Sequence, residues 1–330
     1  MNHPRGAPVI PPKDRLKICF AHVAYRFQAR FQPRNTGIGH FQVSSREDLD
    51  AKIGDADVLV ISGLWRNELI GLAPKLGFIQ SIGAGVDQFS KEALAAKGIR
   101  LASAAGVNAR AVSEHALSLI LALSRRLPEA RDNQKKHVWR GMIGDFARRE
   151  DELGGKTLIV VGLGRIGGRL AELGKALDMR VIGIRRDPSQ GGGAADSVHA
   201  TKELKSLLPE ADFVALTCPL TKETENLMDA DAFSRMKKSA FLVNLARGKC
   251  VNEAALVDAL SKGKIAGAGI DVTVEEPLPA DSPLWDLETA FITPHTGGET
   301  RRYEDNVLDI LMDNLERLWR GETTLRNQIV

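Results

Sequence analysis

The segment that most limits what this chain can fold into is Gly162-Leu-Gly-Arg-Ile-Gly167. The residues before it, Thr157-Leu-Ile-Val-Val161, have the apolar, β-branched composition of a buried strand. The residues after it, from Arg165 to Asp178, are spaced as a helix. Glycines in this pattern carry little meaning alone, but strand before and helix after is the context that gives them meaning. Gly162 allows a tight turn, Gly164 lets backbone approach a phosphate group, and Gly167 lets the helix pack close to the strand. The helix N-terminus adds unpaired N–H groups and a partial positive charge. The whole turn, including Leu163, Arg165 and Ile166, is therefore a candidate dinucleotide contact. A plain glycine-rich turn and a methyl-donor site remain as alternatives.

The next strand, Val181-Ile-Gly-Ile184, leads into Arg185, Arg186 and Asp187. NAD-selective sites usually carry Asp or Glu here, about 20 residues after the glycines, to bind the ribose 2′-OH. A carboxylate repels a 2′-phosphate, whereas guanidinium forks pair with it. Arg185 and Arg186 thus favour NADP. NAD stays open, with Asp187 in the acidic role.

The remaining chain fits an α/β protein. Lys17–Ala21, Ala56–Ser62 and Phe78–Ile82 read as strands, with helical segments at Arg46–Ile53 and Ser90–Lys97. A buried helix is expected from Ala109 to about Arg126, ended or bent by Pro128. Glu129–Glu152 reads as a charged arm, with Trp139 and Phe146 isolated in it. Further strands are expected at Phe213–Thr217, Ala240–Asn244, Ala268–Asp271 and Ala290–Thr293. Helices are expected at Asp229–Lys237, Glu253–Lys262 and Arg301–Arg320. Alternation of this kind argues for parallel sheets covered by helices. At roughly 150 residues per domain, 330 residues suggest two domains.

Composition excludes several classes. Lys and Arg number 45 against 42 Asp and Glu, a net charge of +3, which gives no basic footprint for nucleic acid. The cysteines Cys19, Cys218 and Cys250 are far apart, lack metal-ligand spacing, and read as free thiols of a reducing compartment. Met1–Asp14 is polar and has no signal-peptide core, and no apolar run approaches the roughly 20 residues of a membrane helix. The expectation is a soluble, cytoplasmic protein.

Three segments place reactive groups just past expected strands: Arg247 in Asn244-Leu-Ala-Arg-Gly248, Glu276 in Asp271-Val-Thr-Val-Glu-Glu-Pro277, and His295 in Thr293-Pro-His-Thr-Gly-Gly298. Ligands of open α/β sheets bind outside the carboxyl ends of the strands. There an Arg can clamp a carboxylate through two bonds, and a His can exchange a proton with an oxygen near neutral pH. A neighbouring Glu can hold the ring and favour its protonated form, a role for which Glu275 competes with Glu276.

These residues, together with Gly83-Ala-Gly-Val-Asp87, Asn108-Ala-Arg-Ala-Val-Ser-Glu-His115, Cys218-Pro-Leu-Thr221 with Thr224, Gly269-Ile-Asp-Val272 and Glu276-Pro-Leu278, resemble the D-isomer-specific 2-hydroxyacid dehydrogenases. The resemblance runs from about Ala56 to Val330. It implies a Rossmann coenzyme domain, 107–298, inserted into a flavodoxin-like substrate domain, 1–106 with 299–330. It implies His295 as acid/base, Glu276 as its partner, and Arg247 as carboxylate anchor, with N–H groups of Ala84 and Gly85 completing the carboxylate site. Asp271 would face the nicotinamide carboxamide. Cys218, Pro219, Thr224, Leu245, Ala246, Gly297 and Gly298 would line the coenzyme. A homodimer is implied, with the Glu129–Glu152 arm crossing and Trp139 reaching the partner's pocket. Ser113 replaces the usual Ala, and Asp178 stands where Gly often ends the first coenzyme helix, a turn that Asp tolerates. Glu114 and His115 read as packing or interdomain residues, and Phe20–Gln42 matches no motif.

The expected reaction is hydride transfer between NAD(P)H and C2 of a small 2-oxo acid, of glyoxylate or hydroxypyruvate reductase type. Trp65, after the strand Ala56–Ser62, is expected to line the pocket and favour a small substituent. A phosphoglycerate dehydrogenase is one alternative. A corepressor-like nucleotide sensor is another, but needs no intact Arg, Glu and His set. A formate dehydrogenase of this fold would pair the His with Gln, and Glu276 argues against it.

Overall fold

Short apolar runs alternating with helices build two separate, fully parallel sheets. The computed structural model describes Ile10–Phe146 and Arg149–Val330. Met1–Val9 of the polar start and Ala147 and Arg148 of the expected arm lie outside the described residues. The chain divides into two units: one runs through Asn108 and resumes at Thr300–Val330, and the other is Ala109–Glu299.

In the first unit, strands β1 (Lys17–Ala21), β2 (Gly39–Val43), β3 (Val58–Ile61), β4 (Phe78–Ser81) and β5 (Arg100–Ala102) pair in the order β2-β1-β3-β4-β5. Helices α1 (Phe27–Phe31), α2 (Arg46–Lys52), α3 (Leu69–Leu72) and α4 (Lys91–Ala96) lie between them, joined by the C-terminal helix Tyr303–Trp319. Ser45 and Ser90 cap α2 and α4 by accepting from the Asp48 and Ala93 N–H groups. β3 and β4 are buried along their whole length, as strands covered on both faces must be. The Phe20–Gln42 segment supplies core. Phe20, Phe27 and Phe31 are buried with Val307, Leu308, Leu311 and Leu315 of the C-terminal helix. The ring centres of Phe20 and Phe31 are 5.3 Å apart.

The second unit opens with α5 (Ala109–Ser124) and α6 (Leu127–Lys135). Pro128 does not end α5. Arg126 does so by turning left-handed at φ 51°, and Pro128 occupies the first turn of α6, where its missing N–H costs no hydrogen bond. The rest alternates β6 (Thr157–Val161), α7 (Arg165–Ala176), β7 (Arg180–Arg185), β8 (Ser197–Ala200), α8 (Leu204–Leu207), β9 (Phe213–Leu216), α9 (Ala230–Arg235), β10 (Phe241–Asn244), α10 (Glu253–Ser261), β11 (Gly267–Ile270) and β12 (Ala290–Ile292). The strand order is β12-β11-β10-β9-β6-β7-β8, so the winding reverses between β6 and β9. That reversal opens the crevice where doubly wound sheets bind ligands. Asp178 takes the left-handed conformation at φ 58° after α7.

Candidate active site

The glycine turn sits at this reversal. Gly162 has φ +98°, and a Cβ on it would fall 2.6 Å from Cys218 Cα, so only glycine fits where the turn meets the loop after β9. A Cβ on Gly167 would fall 2.1 Å from the Gly162 carbonyl oxygen, which is how α7 lies so close to β6. Leu163 packs into the space over Gly183 of β7. Gly164 faces open space at the start of α7, with no side-chain cap over that helix end. The turn borders a cleft of about 410 Å³ that Arg185, Arg186, Cys218, Pro219 and Thr224 also line. Among the expected contacts of the turn, Arg165 is exposed and Ile166 half-buried. The residues present fit a bound dinucleotide: a helix N-terminus without a cap opens beside a glycine with space above it.

At the far side of the cleft, Arg185 donates to the Gly191 carbonyl at 2.6 Å and also bonds the Gln190 side chain. Arg186 is exposed. Asp187 is engaged in its own loop: it accepts from Ser189 Oγ at 2.6 Å, Ser189 N at 3.1 Å and Gln190 Nε2 at 3.2 Å. The Ser189 bonds hold its carboxyl below the usual carboxylate range. Thr224 likewise serves its loop, donating to the Pro219 carbonyl at 2.7 Å and accepting from Thr221 N at 2.8 Å. The Cys250 thiol beside Cys218, with burial, pushes the Cys218 thiol far up.

Arg247, Glu276 and His295 each follow a strand end. Buried Asn244 closes β10 with a turn: its amide oxygen accepts from Ala246 N at 3.0 Å and its amide nitrogen donates to the Arg247 carbonyl at 3.1 Å. Leu245 and Ala246 are thereby buried while Arg247 emerges exposed. The next residue is pressed against the following loop. A Cβ on Gly248 would fall 2.0 Å from the carbonyl carbon and oxygen of Thr273, so the loops bearing Arg247 and Glu276 meet backbone to backbone. Thr273 N donates to Glu276 Oε1 at 3.2 Å. Glu276 Oε2 lies 2.7 Å from His295 Nδ1, so the ring is engaged through Nδ1 and Nε2 is its other nitrogen. His295 takes φ +55°, uncommon for a non-glycine residue, with its N–H bonded to the Asp271 carbonyl at 2.8 Å. Glu276, not Glu275, thus holds the ring.

Asp271 is buried under the same loop. Its Oδ1 accepts from Thr293 Oγ1 at 2.6 Å and Thr296 N at 3.0 Å, and its Oδ2 from Gly297 N at 3.1 Å. Burial pushes its carboxyl up, but the bonds from His115, Thr293 and Gly297 outweigh it and hold the group below the usual carboxylate range. Gly297 is buried beside it and Gly298 half-buried.

The remaining expected residues lie in the first unit. Ala84 is exposed and Gly85 half-buried in the loop after β4. Trp65 is a correction. It is 7% exposed in the core, 4.9 Å from the Phe89 ring, with its N–H on Asn67 Oδ1 at 3.1 Å. It belongs to a cluster with Leu64, Leu69 and Ile79, so nearly all of its bulk is spent in the core of the first unit. Sequence reading passed over Asn244, Gly248 and Thr293. Asn244 and Gly248 sit inside a quoted motif, yet only the turn geometry reveals what they do.

Residues 117–297 match the family described as D-isomer specific 2-hydroxyacid dehydrogenase, NAD binding domain. The chain is 37% identical over 293 residues to a D-3-phosphoglycerate dehydrogenase of Methanocaldococcus jannaschii, covering 86% of this chain and 54% of that protein. It thus spans about half the length of the first such relatives. It is 32% identical to a glyoxylate reductase of Korarchaeum cryptofilum, covering 84% of each. A D-isomer specific 2-hydroxyacid dehydrogenase family protein of Aeromonas salmonicida superposes with TM-score 0.83 at 30% identity, over 96% of this chain and 99% of that one. With its two parallel sheets and glycine turn, the chain belongs to the D-isomer specific 2-hydroxyacid dehydrogenase family.

Proposed function

We propose that the chain is an NADP-linked reductase of short 2-oxo acids, of glyoxylate or hydroxypyruvate reductase type, giving D-2-hydroxy acids. The observation that carries the reaction is the 2.7 Å contact of His295 Nδ1 with Glu276, on loops that Gly248 lets meet beside Arg247. A dinucleotide held by the Gly162–Gly167 turn supplies the hydride. Arg247 binds the substrate carboxylate through its guanidinium fork and fixes the orientation of C2. Arg247 also stabilises the negative charge that grows on the carbonyl oxygen. His295 gives that oxygen a proton from Nε2, while Glu276 holds the ring by Nδ1. An intact set of this kind has no use in a nucleotide sensor, which disfavours the corepressor-like reading.

Two supports favour NADP over NAD. Arg185 and Arg186 border the cleft, and Asp187 spends its carboxylate on Ser189 and Gln190. The substrate size class rests on the glyoxylate reductase relative, matched along 84% of both lengths, since Trp65 no longer supports it. A phosphoglycerate dehydrogenase is the second reading, favoured by the 37% identity to that enzyme. The same proposal includes a cytoplasmic homodimer. Three buried free thiols support the compartment. Trp139 at 98% and Phe146 at 81% exposure on the arm are large apolar side chains a second copy would cover, with Trp139 reaching the partner's pocket. The test follows nicotinamide absorbance with NADPH and NADH against glyoxylate, hydroxypyruvate, pyruvate, phosphohydroxypyruvate and bulkier 2-oxo acids. Preference for phosphohydroxypyruvate selects the second reading, and no turnover of any of them sinks the proposal.

A further inference from the structure

His115 enters no step of the proposed reaction, yet the fold aims it at the loop that carries His295. Leu119 of α5 lies against β11, 3.1 Å from where a Cβ of Gly269 would stand. Residues four apart share a helix face, so His115 projects beyond the end of β11, where Asp271 follows. His115 Nε2 is 2.9 Å from Thr293 Oγ1 and 3.4 Å from Asp271 Oδ1. Thr293 has a single hydroxyl proton, and its 2.6 Å contact with a carboxylate oxygen directs that proton to Asp271. Thr293 then accepts from His115, so Nε2 of His115 carries a proton and the ring acts as a donor.

The chain of bonds continues into the catalytic loop. Asp271 gathers the N–H groups of Thr296 and Gly297 with its side chain and that of His295 with its carbonyl. The loop packs directly on this network: a Cβ on Gly297 would fall 2.8 Å from Asp271 Oδ2 and 3.1 Å from His115 Cδ2. Among the described residues the His295 ring is held at Nδ1 by Glu276, while its backbone sits in an uncommon left-handed conformation. What fixes that backbone is the Asp271 frame.

We propose that His115 is a positioning residue for His295, acting through the His115–Thr293–Asp271 hydrogen-bond chain that pins residues 295–297. The inference rests on the reading of His295 as proton donor. It differs from a packing role in requiring a donor at Nε2 rather than bulk. Gln can place an amide nitrogen near that point, and Leu cannot donate.

The test compares His115→Leu, His115→Gln and Thr293→Val. In His115→Leu, kcat falls by about tenfold to a hundredfold, the range for a misplaced catalytic group, while KM for NADPH and the oxo acid stays within about twofold. Amide exchange at His295, Thr296 and Gly297 speeds up by about five- to tenfold, as expected for one lost hydrogen bond. His115→Gln recovers most of both. Thr293→Val, which keeps the side-chain shape, reproduces the His115→Leu exchange pattern and stands in for it should that variant not fold. Unchanged exchange and kcat in His115→Leu, or failure of Gln to outperform Leu, overturns the inference. Absence of any 2-oxo acid reduction by the unmodified protein refutes the proposed reaction instead, and amide exchange then decides the positioning claim alone.

Discussion

Gly248→Ala puts the contact between the loops bearing Arg247 and Glu276 under direct test. The added Cβ would lie 2.0 Å from the carbonyl carbon and oxygen of Thr273 and 2.4 Å from Val274 N. Ordinary contact begins near 3.4 Å, so the loops must part by about 1.4 Å, and the obstructing atoms are backbone that no rotamer change can move. One loop carries Arg247 on the adjacent residue, and the other carries Glu276, bonded to Thr273 N. Both change place together. Overpacking of this kind costs about 1–3 kcal/mol. In a domain of this size that lowers the unfolding midpoint by about 2–12 °C. A displacement of about 1 Å at reacting groups costs about a hundredfold in rate, so kcat/KM falls at least that far. Calorimetry and steady-state assays read the two losses. Gly71→Ala, at a helical glycine with open space around it, serves as control and leaves both near wild type. An active, equally stable Gly248→Ala protein would refute the idea that these loops touch as described.

Other outcomes follow from the same geometry. Arg185→Asp turns an attractive charge into a repulsive one, and NADPH binding by fluorescence weakens tenfold or more, given about 1.5–3 kcal/mol per charge-assisted bond, with NADH little affected. His295→Ala loses about 10²–10⁴-fold in turnover, and Glu276→Gln loses less because the ring itself remains. Asp271 is held below its unfolded value of about 3.9, so it contributes stability that is complete above that pH and lost as pH falls through the native value. Urea midpoints of Asp271→Asn therefore vary less with acid than those of the unmodified protein, and an equal slope contradicts the network. Light scattering shows a dimer at micromolar concentration, and replacing Trp139 and Phe146 by Ser shifts it to monomer.

The glycine turn was legible because each of its requirements is local: a strand, a positive φ, a close approach and a helix start, all within a dozen consecutive residues. The strand ends bearing Arg247, Glu276 and His295 were legible for a related reason. The central strands β10 and β11, before Arg247 and Glu276, read as compact apolar runs whose ends stand out, and β12 before His295, although an edge strand, keeps the apolar Ala290-Phe-Ile292. The edges β8 and β2 did not stand out. β8 is half-exposed throughout and β2 nearly so, and their short mixed sequences carry no period strong enough to read. Pro128 misled because the same ring that breaks a helix interior starts a helix well, and only the left-handed turn at Arg126 says which applies.

Trp65 and His115 fail in opposite directions, for one physical reason. Trp65 follows a strand that ends near the sheet's own switch point, where a large side chain is usefully placed in a pocket or in the core. Which it does depends on Phe89, twenty-four residues on, and on the Asn67 amide that accepts its N–H. His115 lies in a helix rich in buried aliphatics, where a single histidine looks like filler. Its role depends on Thr293 and Asp271, residues far along the chain that reach it only because Leu119 fits over Gly269. Motifs disclose groups that must sit together in sequence. Groups that must sit together only in space are set by packing, and packing at α5 is decided by the side chain that β11 lacks.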